Sequence, residues 1–239
     1  MYHNLSLIEK SYHEREKFFV VCAQDRKILA SLGYKVYNGA NGGGNMGFEY
    51  ERKYRTDEKT LRNIHSSLSE PFYVFQMETT YYDTHDEALS QRKITLRRRY
   101  ENGISVCTLK TPASGVGRGE FQTVADSIED AIPVLCKLSG FEALETIVAK
   151  GLTAVCGAKF TRIARKIDFG SSTLELALDE GFLLGGSKEL PLYEVEVELI
   201  SGEPKDADLY GTLLANKFSL QEETRSKFRR AMALAKGEI

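Results

Sequence analysis

Glu49, Glu51 and Lys53 alternate with Tyr50, Arg52 and Tyr54 near the start of the patterned part of the chain. In an extended strand, alternation at period two puts both carboxylates and the ammonium on one face. Like charges two residues apart repel, and a divalent cation with oxygen ligands is the natural counter-charge. The same kind of row recurs downstream. Glu194, Glu196 and Glu198 share a face opposite Tyr193, Val195, Val197 and Leu199, and Glu175, Ala177 and Asp179 share one opposite Leu174, Leu176 and Leu178. Basic rows lie between these acidic ones. Arg97 and Arg99 share a face, with Leu96 and Arg98 on the other; Thr108 and Lys110 share a second, and Arg118 and Glu120 a third. Arginine forks and lysine ammoniums hold phosphate oxygens, while carboxylates hold hard cations that bridge phosphates. Rows of both kinds together are what a metal-bound polyphosphate requires.

The elements that must carry these rows can be read from turns and caps. Strands are expected over about 48–55, 72–80, 94–100, 104–111, 118–124, 154–167, 173–179 and 192–200. Asn102-Gly103 between two of them is a strong hairpin signal. Helices are expected over 57–68, where Asp57 can cap, over 127–138, where Ser127 and Asp130 resemble a capping box, and over 142–150, 206–218 and 221–235. Residues 6–33 read as a helix containing the apolar block Phe18-Phe19-Val20-Val21, and 38–47, rich in Gly and Asn, read as a flexible linker. The domain reading is therefore a helical extension over 1–37, a linker over 38–47 and one main domain over 48–239.

The order, mostly strands with helices inserted, points to an α+β fold on an antiparallel sheet. Two architectures accommodate the charged rows. In one, the apolar faces form a core and the charged faces meet water. In the other, the sheet closes into a barrel with a charged interior and an apolar exterior covered by helices. A charged interior is tolerable only when cations and anions pair or a ligand fills it.

Composition sets the outer limits. At 239 residues, 42% hydrophobic and 28% charged, the chain is that of an ordinary globular protein, and a net charge of −2 provides no general field for nucleic acid or an anionic membrane. No apolar run reaches the roughly 20 residues of a membrane span, and residues 1–10 lack the pattern of a signal peptide. Cys22, Cys107, Cys136 and Cys156 have no close spacing and read as reduced thiols of a cytoplasmic protein.

In their order, these motifs resemble those of the CYTH superfamily, the triphosphate tunnel metalloenzymes. Glu49-x-Glu51-x-Lys53 is similar to the family's opening signature, and Tyr81-Tyr82-Asp83-Thr84 to its YYDT stretch, with His85 where a proline is usual. Leu96-Arg97-Arg98-Arg99, Thr108-Leu109-Lys110 and Arg118-Gly119-Glu120 resemble its basic strands, as does Thr161-Arg162 with Ala164 and Lys166. Leu174-Glu175-Leu176-Ala177-Leu178-Asp179 and Glu194-Val195-Glu196-Val197-Glu198-Leu199 resemble its acidic strands, and Ser226-Lys227-Phe228-Arg229 is similar to a stretch that ends some bacterial members. An unusual feature is that 47 residues precede Phe48.

The resemblance implies an eight-stranded antiparallel closed barrel that binds a triphosphate-containing small molecule with Mg²⁺ or Mn²⁺. It is strongest to the bacterial inorganic triphosphatase branch. It implies that Lys53, Arg97, Arg99, Lys110, Arg118 and Arg162 hold phosphates, that Glu49, Glu51, Asp179, Glu194, Glu196 and Glu198 form the metal-ligand pool, and that Glu49, Glu51, Lys53 and Arg162 take part in catalysis. Neither nucleic acid nor a membrane is an expected partner. Thiamine triphosphatase, class IV adenylate cyclase and a non-catalytic polyphosphate-binding module are the alternative readings.

Overall fold

The computed structural model describes residues 47–48, 50–69, 72–112 and 118–239. The expected extension over 1–37, the linker up to residue 46, and Glu49 lie outside the described residues. In chain order the elements are β1 (Gly47–Phe48), β2 (Glu51–Arg55), α1 (Glu58–Ser66), β3 (Tyr73–Asp83), α2 (Ala88–Gln91), β4 (Thr95–Glu101), β5 (Ile104–Pro112), β6 (Arg118–Val124), α3 (Ile128–Ser139) and α4 (Ala143–Val148). There follow β7 (Thr153–Phe169), β8 (Ser172–Gly185), β9 (Lys188–Ser201), α5 (Pro204–Phe218), β10 (Gln221–Glu222) and α6 (Lys227–Lys236). None of the described helices is long and apolar enough to cross a membrane.

Two compact units share these elements. The first contains described residues 47–48 and 79–154, and the second 50–78 and 155–239. In the first, the strand order is β1-β6-β5-β4-β3. Asn102 and Gly103 both have positive φ, 50° and 88°, and join β4 to β5 as the Asn-Gly pair predicts. Leu96 and Leu109 are register partners and lie buried with Ile128, Ala131 and Leu135 of α3 and Leu144 of α4. Helix α3 begins at Ser127, whose hydroxyl accepts from the Asp130 amide at 3.1 Å.

In the second unit the order is β3-β7-β8-β9-β2-β10. Leu174, Leu176, Leu178, Val195, Val197 and Tyr54 form one apolar face, packed with Leu61 and Ile64 of α1 and with Ala207 and Leu214 of α5. The expected parity of these strands therefore holds: the leucines and valines face helices, and the charged rows occupy the opposite face.

The expectation of a closed eight-stranded barrel is corrected by the ladders. Closure requires the two ends of the strand order to pair. Here a ten-stranded antiparallel sheet runs from β1 to β10 and is open, with no ladder between those two strands among the described residues. The expected first strand over 48–55 is not continuous. Gly47–Phe48 pair with β6, whereas Glu51–Arg55 pair with β9. The expected helix over 221–235 is also shorter. Gln221 and Glu222 extend the sheet beside Arg55 and Tyr54, and α6 starts only at Lys227.

Candidate functional site

Three antiparallel strands bring the acidic rows of the second unit together. Register aligns Arg162 of β7 with Asp179 of β8 and Glu194 of β9. The next rows on this face are Ala164, Ala177, Glu196 and Lys53, then Lys166, Glu175, Glu198 and Glu51. Charged residues from opposite ends of the main domain, Glu51 and Glu198, therefore become cross-strand neighbours.

At the centre, Asp179, Glu194 and Glu196 each offer a carboxylate oxygen within 4.8 Å of the others, and all three are buried. Arg162, only 5% exposed, grips Asp179 with two parallel bonds, Nε to Oδ1 and Nη2 to Oδ2, both 2.7 Å. The same Nη2 reaches Glu196. Lys227 of α6 extends its ammonium into the trio, 2.8 Å from Asp179 Oδ2 and 2.7 Å from Glu196 Oε1, and bonds Glu194 as well. Arg230, one turn further along α6, takes the remaining Glu194 oxygen. Every oxygen of the trio thus accepts from a cationic donor, which is how so much charge can be buried. Phe160 lies beneath, its ring centroid 5.3 Å from Lys227 Nζ.

This environment separates the two glutamates. Burial pushes the Glu194 carboxyl up to about 7, against the pull of Lys227 and in concert with the charge of Glu196. Glu196 is held well below the usual carboxylate range: burial opposes this, but Lys227 and Arg162 outweigh it. Burial also opposes the charge on Lys227, yet Asp179 and Glu194 raise its pKa far above the ordinary lysine value. Lys53, at the edge of the face, bonds Glu51 at 2.6 Å; it too is raised, with burial outweighed by Glu51 and then Glu196.

A cluster of hard carboxylate oxygens that already stabilises an ammonium fits a divalent cation by charge and donor type. A cation there would replace Lys227 as counter-charge to Asp179, Glu194 and Glu196.

The first unit groups the other expected basic residues. Arg97 Nη2 lies 3.5 Å from Glu120 Oε1, and Lys110 Nζ 3.4 Å from Glu120 Oε2, so one carboxylate serves two strands. Arg99 is buried and donates from Nε to Thr79 Oγ1 at 2.8 Å. Arg118 stands opposite Pro112 at the start of β6. Arg98, expected on the opposite face, donates to the Asp126 carbonyl at 3.1 Å, and Arg165 turns to the Ser69 carbonyl and the Phe72 ring. Asp83 of the YYDT stretch is structural: its carboxylate accepts from the amides of Thr84, Leu89 and Ser90 at 2.8–3.0 Å and holds the start of α2.

Lys227 and Arg230 were not among the expected site residues. The sequence carried two signals for Lys227 and none for Arg230. Ser226 is a helix cap, accepting from the Arg229 amide at 3.2 Å, and a first-turn lysine beside Phe228 would sit on the buried side of an amphipathic helix.

An antiparallel sheet with helices on its apolar face, and with acids and bases paired and buried on the other face beneath α6, combines cationic donors with a cluster of carboxylates that could hold a metal ion. Residues 47–232 match the CYTH domain, and the chain belongs to that family. It is 33% identical over 131 residues to an inorganic triphosphatase of Haemophilus influenzae, an alignment spanning 53% of this chain and 37% of that protein. A solved structure of a proposed adenylate cyclase from Bacillus halodurans shares the fold with a TM-score of 0.56 at 20% identity, covering 77% of this chain and 96% of that one. A protein from Hippeastrum, proposed as an adenylyl cyclase and described as having a dominant triphosphatase activity, superposes with a TM-score of 0.54 at 19% identity, covering 80% of this chain and 95% of that one.

Proposed function

We propose that this chain is a divalent-metal-dependent hydrolase that cleaves inorganic triphosphate to diphosphate and phosphate, with Mg²⁺ or Mn²⁺ as the ion. The observation that carries the reading is the buried trio of Asp179, Glu194 and Glu196, neutralised by Arg162, Lys227 and Arg230 on one sheet face. The relationship to the Haemophilus influenzae triphosphatase supports the same class of substrate.

In this reading Asp179, Glu194, Glu196, Glu198 and Glu51 supply the ligands of the ion, together with Glu49, two residues before Glu51. When bound, the ion neutralises phosphate oxygens and lowers the pKa of water. Arg162 and Lys53 bind phosphate oxygens and orient the anhydride, and their fixed charge stabilises negative charge that builds on the leaving diphosphate. Burial of Arg162 against a bidentate partner fixes its geometry beforehand, so little is lost to reorganisation. We assign Arg97, Arg99, Lys110 and Arg118 of the first unit to polyphosphate binding, testable by calorimetry of each substitution.

The deciding experiment measures phosphate release from inorganic triphosphate, thiamine triphosphate and ATP with Mg²⁺, with Mn²⁺ and after chelation, with cyclic AMP as a parallel readout. Turnover of triphosphate that disappears on chelation is the expected result. Activity that survives complete chelation overturns the metal role, cyclic AMP as the main product assigns a cyclase, and tight triphosphate binding without turnover assigns a binding module.

A further inference from the structure

A groove of about 330 Å³ runs between α3 and α4 of the first unit. Its floor and walls are Ile132 and Pro133 of α3 with Val148 and Ala149 at the end of α4. Pro133 and Ala149 are exposed and Val148 is half-exposed, so apolar surface faces outward from helices whose other sides are already packed on the sheet. The two charged side chains that line the groove, Glu129 and Glu145, are both acidic and both exposed. Neither belongs to the charged rows or has a part in the proposed reaction.

We propose that this groove is the docking site of the chain's own N-terminal segment, centred on residues 15–32. Three observations point to that occupant. First, on helical spacing Phe18, Val21, Cys22 and Leu29 fall on one side, with Ile28 and Leu32 beside them and Asp25 among them, which supplies a mostly apolar face for the groove. Second, residues 15–32 carry Arg15, Lys17, Arg26 and Lys27 against Glu16 and Asp25, so the charge excess of the segment is positive and complements Glu129 and Glu145. Third, the described chain begins at Gly47–Phe48, paired with β6 of this same unit, and α3 follows β6 directly in sequence. Residues 33–46 separate the segment from that anchor, and 14 residues reach about 45 Å when extended. A unit of this size has a radius of gyration of only about 13 Å, so the tether reaches any of its faces. Tethering also makes the contact intramolecular, at an effective concentration in the millimolar range for a short flexible linker, so a weak apolar contact with two ion pairs suffices.

The chain supplies its own probe. Cys22 is the one cysteine of residues 1–46, whereas Cys107, Cys136 and Cys156 are buried, and burial raises all three thiols, Cys107 and Cys156 to about 12. Ala149→Cys places a reactive thiol in the groove, and Gln91→Cys at the exposed end of α2 is the control. The full-length variants are treated with a short-armed bismaleimide, and products are mapped by mass spectrometry. The expected result is an intramolecular link between Cys22 and the thiol introduced at position 149. It should form at least tenfold faster than the link from Cys22 to the thiol introduced at position 91. It should be absent in Cys22→Ser/Ala149→Cys, and it should slow at least fivefold when Val148→Asp is added. Equal rates at positions 91 and 149 overturn the proposal, as does a link formed only between two copies, which assigns the groove to self-association. None of these readouts depends on hydrolysis, so the docking and the proposed activity stand or fall separately.

Discussion

Glu51 faces Glu198 across the β2–β9 ladder and bonds Lys53 along its own strand, which makes it the residue that best separates a cation ligand from a solvated surface charge. Glu51→Gln keeps the shape and removes one charge. If the proposed role holds, Mg²⁺ affinity and turnover fall by about tenfold or more, equivalent to roughly 1.4 kcal/mol. Stability without metal changes by no more than about 0.5 kcal/mol. The check is the melting temperature with and without Mg²⁺ and triphosphate, because a ligand that binds only the folded state raises it. An unchanged shift in both Glu51→Gln and Glu49→Gln would remove these two residues from the site. Lys227 gives the opposite prediction. Lys227→Met leaves Asp179, Glu194 and Glu196 without their shared ammonium, and loss of one partner from a buried ionic cluster costs about 3–5 kcal/mol. Urea unfolding should show this loss, and added Mg²⁺ should recover more stability in the variant than in the wild type.

At the scale of elements, delivery of Lys227 depends on how closely α6 packs on β8. A Cβ at Gly185 would lie 2.5 Å from the Ala235 amide nitrogen and 2.9 Å from the Ala231 carbonyl oxygen, both backbone atoms that cannot swing aside. Gly185→Ala therefore pushes α6 outward at a cost of about 1–3 kcal/mol. Hydrogen exchange should show α6 losing protection before β8 does. The segment that leads into α6 carries a pH-dependent contact. Arg225, through side-chain hydrogen bonds to Glu223, holds that carboxyl down at about 2. A depressed carboxylate pKa contributes stability above its unfolded value of about 4.5, and the contribution is lost as pH falls from there toward 2. Arg225 is 45% exposed, so screening limits the effect to about 1 kcal/mol. Melting curves of wild type and Glu223→Gln should differ at pH 6 and converge as the pH approaches 2.

For the molecule as a whole, removal of residues 1–45 is expected to leave a cooperatively unfolding protein, because among the described residues each unit has an apolar cluster built from residues 50 onward. Calorimetry or circular dichroism would detect a single sharp transition. A truncated chain without one would place the extension in the core. Much of the sheet was legible beforehand because strand parity is local: each alternating row assigns its own charged and apolar faces, whatever the strand pairs with. The Asn102-Gly103 hairpin and the Ser127 and Asp57 caps were legible for the same reason, since each depends on a few adjacent residues. Pairing partners are not local. The split of the expected first strand between β6 and β9, and with it the open order from β1 to β10, depends on ladders between residues up to 168 positions apart, as in Tyr54↔Glu222. The partners of the acidic rows are equally remote. Sequence marked Asp179, Glu194 and Glu196 as acids needing a counter-charge. Only the packing of α6 against β8 supplied Lys227 and Arg230 to the trio, because helical spacing can put a lysine on a helix's inner side but does not show which partners it meets until the helix is docked.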